Sequence, residues 1–409
     1  MMKRGMSLLG IFCVFLSSGL NLSSQSTNHY LVAGDSASYT HGSSDFIVYK
    51  LDPTGKKVWR KNYGGDKWDA AFSLVKSLDG GFMVAGHSYS YVHGELGGDD
   101  GDEDFLIYHL SPGGQKLWRK NLGGMYGDAA HSIAAGSDGG FFVAGETKSY
   151  VHGPLESDRD LLLYKLDAAG NKLWRKNFGG SADDYAESVL GVPGGGCVLV
   201  GVSASFTHGE EDSQDALVYR LDADGNKLWR CNFGTPFDDY PKEVVATGDG
   251  GYVIVGGTRL SEYGDLDFMV FRIDASGNQL WRHTFGGGSS DFAESVDVTS
   301  DGGLIVGGRT YSYGHGEQDI LVYRLTEDGR KLWRKDFGGD RVDACFSVIG
   351  TSDGGYLLSG YSYSYVHGAP GCDTDILVYK LDADGNKCWR KNLGGDQSEY
   401  GRAACEVLE

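Results

Sequence analysis

Six segments of the chain repeat an arrangement of an aromatic residue, any residue, a histidine and a glycine. An aspartate follows each histidine, where the next apolar run begins. An aromatic ring can stack on a sugar, while histidine and aspartate can hydrogen-bond its hydroxyl groups. One interpretation of the pattern is a ring of equivalent ligand pockets. The candidate binding residues are Tyr39, His41, Tyr91, His93, Tyr150, His152, Phe206, His208, Tyr313, His315, Tyr365 and His367.

The same residues also allow a purely structural interpretation. Histidine and aspartate would then form a hydrogen-bonded brace between loops, repeated because every copy of the fold needs it. A catalytic site is needed only once, so recurrence favours the brace over the repeated pocket, and a histidine-based metal site is the third alternative. One copy departs from the pattern and reads Ser261-Glu-Tyr-Gly264, without a histidine.

The segment Glu95-Leu-Gly-Gly-Asp-Asp-Gly-Asp-Glu-Asp104 carries six carboxylates in ten residues. Calcium prefers carboxylate oxygens, so Asp99, Asp100, Asp102 and Asp104 are candidate ligands. The segment lacks the ligand order of an EF-hand, and a solvated acidic loop is the favoured interpretation. We therefore predict no cofactor and retain calcium as the alternative.

Motifs that would indicate an enzyme are missing from the sequence. It contains no nucleophile elbow, no phosphate-binding loop and no HExxH motif. Paired carboxylates for glycoside hydrolysis could come from any two copies of the repeat. Catalysis requires one distinct site, and the few departures from the repeat are His131, Glu187, Trp68 and the segment from Arg259 to Glu262.

The elements that would position these loops come from a long repeat. Each unit has four short runs rich in Val, Ile, Tyr, Phe and Trp, here named strands a, b, c and d, separated by turns rich in Gly and Asp. Successive tryptophans are 59, 56, 55, 52, 52 and 56 residues apart, a period typical of supersecondary repeats. The seven repeated tryptophans are Trp59, Trp118, Trp174, Trp229, Trp281, Trp333 and Trp389.

The two ends of the chain are complementary halves of one unit. The first unit opens at His29-Tyr-Leu-Val-Ala-Gly34, which matches strand b, and the chain finishes with Arg402-Ala-Ala-Cys-Glu-Val-Leu408, which matches strand a. A solenoid would instead have capping repeats at its ends. The sequence therefore predicts an all-β, seven-bladed β-propeller of four-stranded blades, closed by the C-terminal strand.

The segment Leu221-Asp-Ala-Asp-Gly-Asn-Lys-Leu-Trp229 resembles the tryptophan-docking repeat of quinoprotein-like (PQQ-repeat) propellers, and the chain also resembles glycine-rich propeller repeats of secreted or surface proteins of bacteria and archaea. The resemblance implies that each tryptophan packs between neighbouring blades. Quinoprotein dehydrogenases typically have eight blades and often adjacent cysteines. This chain has seven units and no adjacent cysteine pair, so no cofactor site is carried over.

Residues 1–24 are typical of a secretory signal peptide. They combine Lys3 and Arg4, an apolar run from Leu8 to Leu16 and small residues after it. That run is too short to span a bilayer, and no later segment is predicted to be transmembrane. We therefore expect an exported protein, periplasmic, secreted or at the cell surface, with one propeller domain at 25–409. The net charge of −19 argues against nucleic acid as a partner.

The cysteines of the mature chain show no disulfide framework. Cys197 and Cys231 fall on strands b and d of one unit, too far apart to be bridged. Four others lie in the last unit and the closing strand: Cys345, Cys372, Cys388 and Cys405. They could form a disulfide that closes the ring, or remain buried free thiols.

The sequence thus predicts an exported, monomeric, non-enzymatic propeller that acts as a binding or interaction module. Its ligand, a protein or a carbohydrate, is expected on the face formed by the b-c and d-a loops, because loops on a rigid scaffold are where propellers bind. A multivalent carbohydrate-binding lectin and a propeller enzyme, either a hydrolase or a quinoprotein-like dehydrogenase, are the two alternatives.

Overall fold

The computed structural model describes residues 28–93, 103–153, 158–209, 213–262, 264–368 and 373–408. Within these ranges the chain forms 28 β-strands in seven four-stranded antiparallel sheets, which confirms the predicted blades. The described ranges contain no helix that could cross a membrane. The signal peptide predicted at residues 1–24 lies outside them.

The blades are numbered from the one that contains the N-terminal strand. Blade 1 consists of β28 (Glu399–Leu408), β1 (Asn28–Ser36), β2 (Asp45–Leu51) and β3 (Lys57–Tyr63). Blade 2 consists of β4 (Asp69–Lys76), β5 (Phe82–Ser88), β6 (Asp104–Leu110) and β7 (Lys116–Leu122). Blade 3 consists of β8 (Asp128–Ala135), β9 (Phe141–Thr147), β10 (Asp160–Leu166) and β11 (Lys172–Phe178). Blade 4 consists of β12 (Asp184–Gly191), β13 (Cys197–Ser203), β14 (Asp215–Leu221) and β15 (Lys227–Phe233).

The remaining three blades follow the same order of strands a, b, c and d. Blade 5 consists of β16 (Asp239–Ala246), β17 (Tyr252–Arg259), β18 (Leu266–Ile273) and β19 (Gln279–Phe285). Blade 6 consists of β20 (Asp291–Val298), β21 (Leu304–Thr310), β22 (Asp319–Leu325) and β23 (Lys331–Phe337). Blade 7 consists of β24 (Asp343–Gly350), β25 (Tyr356–Ser362), β26 (Asp375–Leu381) and β27 (Lys387–Leu393).

The C-terminal strand closes the ring. β28 pairs antiparallel with β1, with Leu31 opposite Cys405 and Gly34 opposite Gly401. Strand a of blade 1 therefore comes from one end of the chain and strands b to d from the other, as the matching half-units predicted. Closure removes the free edges and the unburied face that an open stack of blades would expose.

Each repeated tryptophan docks on the c-d turn of the next blade. The indole of Trp174 donates to the carbonyl of Ala223 at 3.1 Å, and that of Trp389 donates across the closure to Pro53 at 3.1 Å. The turn glycine that receives the indole has a positive φ, for example 78° at Gly170 beneath Trp118. Packing between blades, which the family resemblance implied, is therefore observed.

Strands b and c are buried along almost their whole length, and the apolar clusters of the core lie between adjacent blades.

The five cysteines within the described ranges are free thiols, so Cys345, Cys388 and Cys405 form no ring-closing bridge among themselves. Cys372 lies outside those ranges. Burial raises the pKa of the Cys405 thiol to about 12, which fits a packed thiol.

Replacing the docking glycine should separate packing from backbone strain. A Cβ at Gly170 would lie 2.5 Å from Cη2 of Trp118, whereas a Cβ at Gly250 would have no atom within 4 Å. Both glycines have positive φ, so either alanine substitution costs about 1–2 kcal/mol of strain. We expect Gly170→Ala to lose a further ~1–3 kcal/mol through the clash, measured by urea unfolding. Equal losses in Gly170→Ala and Gly250→Ala would contradict the docking role.

Candidate functional site

The histidines of the repeated loops bind the aspartates at the start of strand c. Nδ1 of His41 lies 2.7 Å from Oδ2 of Asp45, and His93 and His208 make the same contact with their aspartates at 2.5 Å. The backbone N–H of each histidine also donates to that carboxylate. His152 and His367 repeat the arrangement, while at His315 the backbone N–H makes the bond.

The aromatic residues of these loops fasten one blade to the preceding one. The hydroxyl of Tyr91 donates to the carbonyl of Gly64, in the connection from blade 1 to blade 2, at 2.7 Å. The Arg119 guanidinium, from the Trp-Arg pair of the same blade, lies 3.5 Å from the centroid of the Tyr91 ring. Tyr39, Tyr150, Tyr313 and Tyr365 form both contacts in the same way, and Phe206 keeps the arginine contact.

The histidine, aspartate and tyrosine contacts form a brace that recurs around the ring. The tyrosine hydroxyl is already bonded to a backbone carbonyl, and the arginine covers one face of the ring. The imidazoles remain about half exposed: 60% at the His41 side chain and 46% at His93. A ligand-binding role for these twelve residues stays a prediction.

Most junctions between blades also bury two carboxylates, and at the junction of blades 5 and 6 Asp267 is only partly buried. Asp45 at the start of strand c and Asp69 at the start of the next strand a are both fully buried, on either side of Gly64. Oδ2 of Asp69 accepts from the Gly65 N–H at 2.7 Å and from the Ser90 hydroxyl at 2.8 Å. The Oδ1 atoms of Asp45 and Asp69 have no hydrogen-bond partner within the described part of the chain. A side chain at position 64 would collide with both carboxylates, which explains the glycine.

Burial raises the pKa of most of these carboxyl groups. Asp69, Asp128 and Asp343 shift upward chiefly through desolvation, which hydrogen bonds from neighbouring hydroxyls partly offset. At Asp104 burial raises the pKa to about 6, although the contact with His93 lowers it. The ring therefore holds a repeated set of carboxyl groups that are more easily protonated than free aspartate.

Asp104 was also a candidate calcium ligand. The structure places it at the start of β6, bonded to His93 like its counterparts in other blades. The other candidates, Asp99, Asp100 and Asp102, lie outside the described residues. Within the described ranges no group of three or more His, Cys, Asp or Glu side chains is arranged to hold a metal ion. The absence of a cofactor stays a prediction, with calcium at the acidic insertion as its alternative.

The raised carboxyl pKa values predict stabilisation at mildly acidic pH. Asp104 has a folded-state pKa of about 6 against about 3.9 when unfolded, so folding takes up a proton between these values. The free energy of unfolding should therefore rise as pH falls from 7.5 to 5, by about 1 kcal/mol from Asp104 alone. Asp104→Asn should reduce that gain in urea unfolding, whereas the exposed control Asp224→Asn should keep it. An unchanged gain in Asp104→Asn would contradict the assignment.

The inner strands depart from the repeat at one position. Every strand a has a β-bulge, which leaves one residue without a partner on strand b and redirects its side chain. The seven bulged residues, here named the collar, surround the central channel. In blade order they are Arg402, Phe72, His131, Glu187, Lys242, Glu294 and Phe346. Two adjoining cavities of about 280 and about 350 Å³ are lined by these residues.

Two groups of aromatic side chains, one on either side of Arg402, lead from the collar to the loop face. The first is Trp68, Phe72, His87 and Tyr89, and the second is Phe346, Tyr361, Tyr363 and Tyr400; together we name them the aromatic crescent. Ring centroids lie 5.2 Å apart between Trp68 and His87, and 5.1 Å apart between Tyr361 and Tyr400. Trp68 is 41% exposed, which makes it the outer end of the crescent.

His87 is unusual within the aromatic crescent because it is buried and neither ring nitrogen has a hydrogen-bond partner in the described part of the chain. Burial, together with the nearby His131 and Arg402, lowers its pKa to about 3. The imidazole is therefore neutral, with one donor and one acceptor left unused.

The sequence pointed to His131, Glu187 and Trp68 as departures from the repeat, but it did not identify the collar. Arg402, Phe72 and Lys242 became visible as one set only when the bulges placed them around the channel. Aligning the seven a strands on their first acidic residue would have shown one column of different residues among columns of recurring small ones. That column was the available signal.

Comparison with known proteins supports the fold. Residues 299–331 match a family model described as "Domain of unknown function (DUF5122) beta-propeller". The regulatory protein FlaEY of Caulobacter vibrioides is 26% identical over 230 residues, which are 49% of this chain and 24% of that protein. This chain therefore aligns with about a quarter of that relative's length.

Two solved structures illustrate the likeness in shape. A mutant of Synechocystis apocarotenoid oxygenase is 12% identical, with a TM-score of 0.51, over 94% of this chain and 93% of that one. The WD40 domain of Neurospora crassa Pan2 is 10% identical, with a TM-score of 0.49, over 83% and 87% of the two chains. At such identities the likeness concerns the propeller fold alone.

Proposed function

We propose that this protein is an exported, monomeric, non-enzymatic binding module that holds a protein or carbohydrate ligand on its b-c and d-a loop face, at the mouth of the central channel. The location of this ligand site is supported by the distribution of residues that differ between blades. The brace residues recur around the ring, whereas the collar position holds arginine, phenylalanine, histidine, glutamate or lysine according to the blade. The leader pattern at residues 1–24 supports export.

The aromatic crescent is the single observation that carries the proposal. Aromatic side chains that reach the surface of a rigid scaffold are the groups that dominate binding energy at interfaces. Trp68 and Tyr363 come from d-a and b-c loops, the two loop types that meet on this face. The FlaEY protein is named a regulatory protein, which fits a role in interaction.

The loop face can be tested by selection from diverse ligand libraries. We expect the full chain to bind ligands from a glycan array or a displayed peptide library. The double variant Trp68→Ala/Tyr363→Ala should bind those ligands at least about tenfold more weakly. The matched control is Leu78→Ala/Leu228→Ala, which removes exposed apolar side chains at the opposite ends of the blades. Binders lost only by the control pair would contradict the proposed face.

A multivalent lectin is the second candidate function, because each of five blades presents a half-exposed imidazole in the same setting. A lectin of this type would bind one glycan class at several equivalent, weak sites. Calorimetry on a glycan from the array, with calcium and again with a chelator, separates the candidates. Several equivalent sites favour the lectin, and a single site favours the channel mouth.

A further inference from the structure

The collar is polarised across the channel. On one side the Lys242 ammonium lies 2.5 Å from Oε1 of Glu187, and the Arg309 guanidinium lies 2.9 Å from Oε1 of Glu294. These four charges are paired with each other. On the opposite side Arg402 is the only charged residue of the collar, and its neighbours in the adjacent blades are Phe346 and Phe72.

The guanidinium of Arg402 has unused hydrogen-bonding capacity. Its Nε donates to Oδ1 of the buried Asp35 at 3.2 Å, which fixes the orientation of the side chain. No other acceptor from the described residues bonds the guanidinium, so both Nη nitrogens remain available. A guanidinium fork with two free nitrogens matches the geometry of a carboxylate, which accepts two parallel N–H bonds.

Aromatic rings enclose this guanidinium. Its Cζ lies 4.8 Å from the ring centroid of Phe346, 5.0 Å from that of Phe72 and 5.1 Å from that of Tyr400. These rings reduce the water around the cation, which strengthens its attraction to an anion. They also offer apolar surface to whatever group carries that anion, while His87 beside Phe72 retains an unused donor and acceptor.

We propose that the collar and the aromatic crescent form a binding site for a carboxylate attached to an aromatic or apolar group, with Arg402 as its anchor. The carboxylate takes the two Nη nitrogens, and the apolar group packs between Phe72 and Phe346. The cavity of about 350 Å³ at the level of the collar accommodates one aromatic residue with its carboxylate. The inference rests on the proposed function because it names the ligand chemistry of the same channel mouth.

This chemistry has two sources, a free aromatic acid and the C-terminal residue of a partner protein. We would titrate the full chain with 3-phenylpropionate, with the tetrapeptide acetyl-Gly-Ser-Gly-Phe, and with the same tetrapeptide as its C-terminal amide, by calorimetry and tryptophan fluorescence. At least one of the two acids should bind, and where the peptide acid binds, its amide should bind at least about tenfold more weakly. Tighter binding of the peptide acid identifies a protein terminus, and tighter binding of phenylpropionate identifies a small acid.

Variants test the anchor itself. Arg402→Gln should weaken acid binding at least about tenfold, and Arg402→Lys should weaken it less because the charge remains but the fork is lost. Lys227→Gln, an exposed position on β15 with the same change in charge, should bind like the original chain. Thermal melting of each variant verifies that it is folded. The ratio of the affinities for the peptide acid and its amide is measured on the original chain, so it does not depend on any variant.

Three results would overturn the inference: equal affinity for acid and amide, no binding of either acid up to about 1 mM, or unchanged acid binding by folded Arg402→Gln. Failure of the proposed function is measured separately. If array or library binders depend on Trp68 and Tyr363 but the acids give one of these three results, the loop face stands and the carboxylate site falls. If those binders ignore Trp68 and Tyr363, the proposed function falls as well.

Discussion

The propeller depends on how each blade joins the next at the loop face. There the chain must bury backbone and carboxylate groups away from water, and an unsatisfied buried polar group is costly. The junction around Gly64 meets most of this constraint with the Tyr91 hydroxyl on a backbone carbonyl, the Ser90 hydroxyl and Gly65 N–H on Asp69, and Arg119 over the Tyr91 ring, while Oδ1 of Asp69 stays without a partner among the described residues. Because every junction faces the same constraint, nearly the same residues recur in every repeat.

This explains what could be predicted from the sequence. The strands, the seven blades and the closure by β28 followed from the tryptophan spacing and the two half-units, because local turn chemistry and alternation specify them. The brace was foreseen as one alternative for the histidine loops. The arginine stacked on each tyrosine was not foreseen, because the tyrosine lies in a b-c loop and the arginine on strand d, and only the folded blade brings them together.

The collar was missed for a related reason. A bulge inserts one residue into strand a without changing its apolar pattern, so the sequence does not show which side chain turns toward the channel. Blade 5 shows how far the repeat tolerates change. Arg282, from the Trp-Arg pair there, donates to the buried Asp239 and to Thr258. Symmetric positions thus hold the ring together, and the proposed binding site uses positions that differ between blades.

The central claim, that ligands bind at the channel mouth and not at the repeated loops, has a direct measurement. A photo-reactive benzoylphenylalanine would be placed at position 363 in one preparation and at position 152 in another. Each would be irradiated with ligands selected from the glycan or peptide libraries, and the adducts mapped by mass spectrometry. Binding at the channel mouth should give a covalent adduct from position 363 and none from position 152. An adduct from position 152 alone would contradict it and return the repeated loops to the role of binding sites.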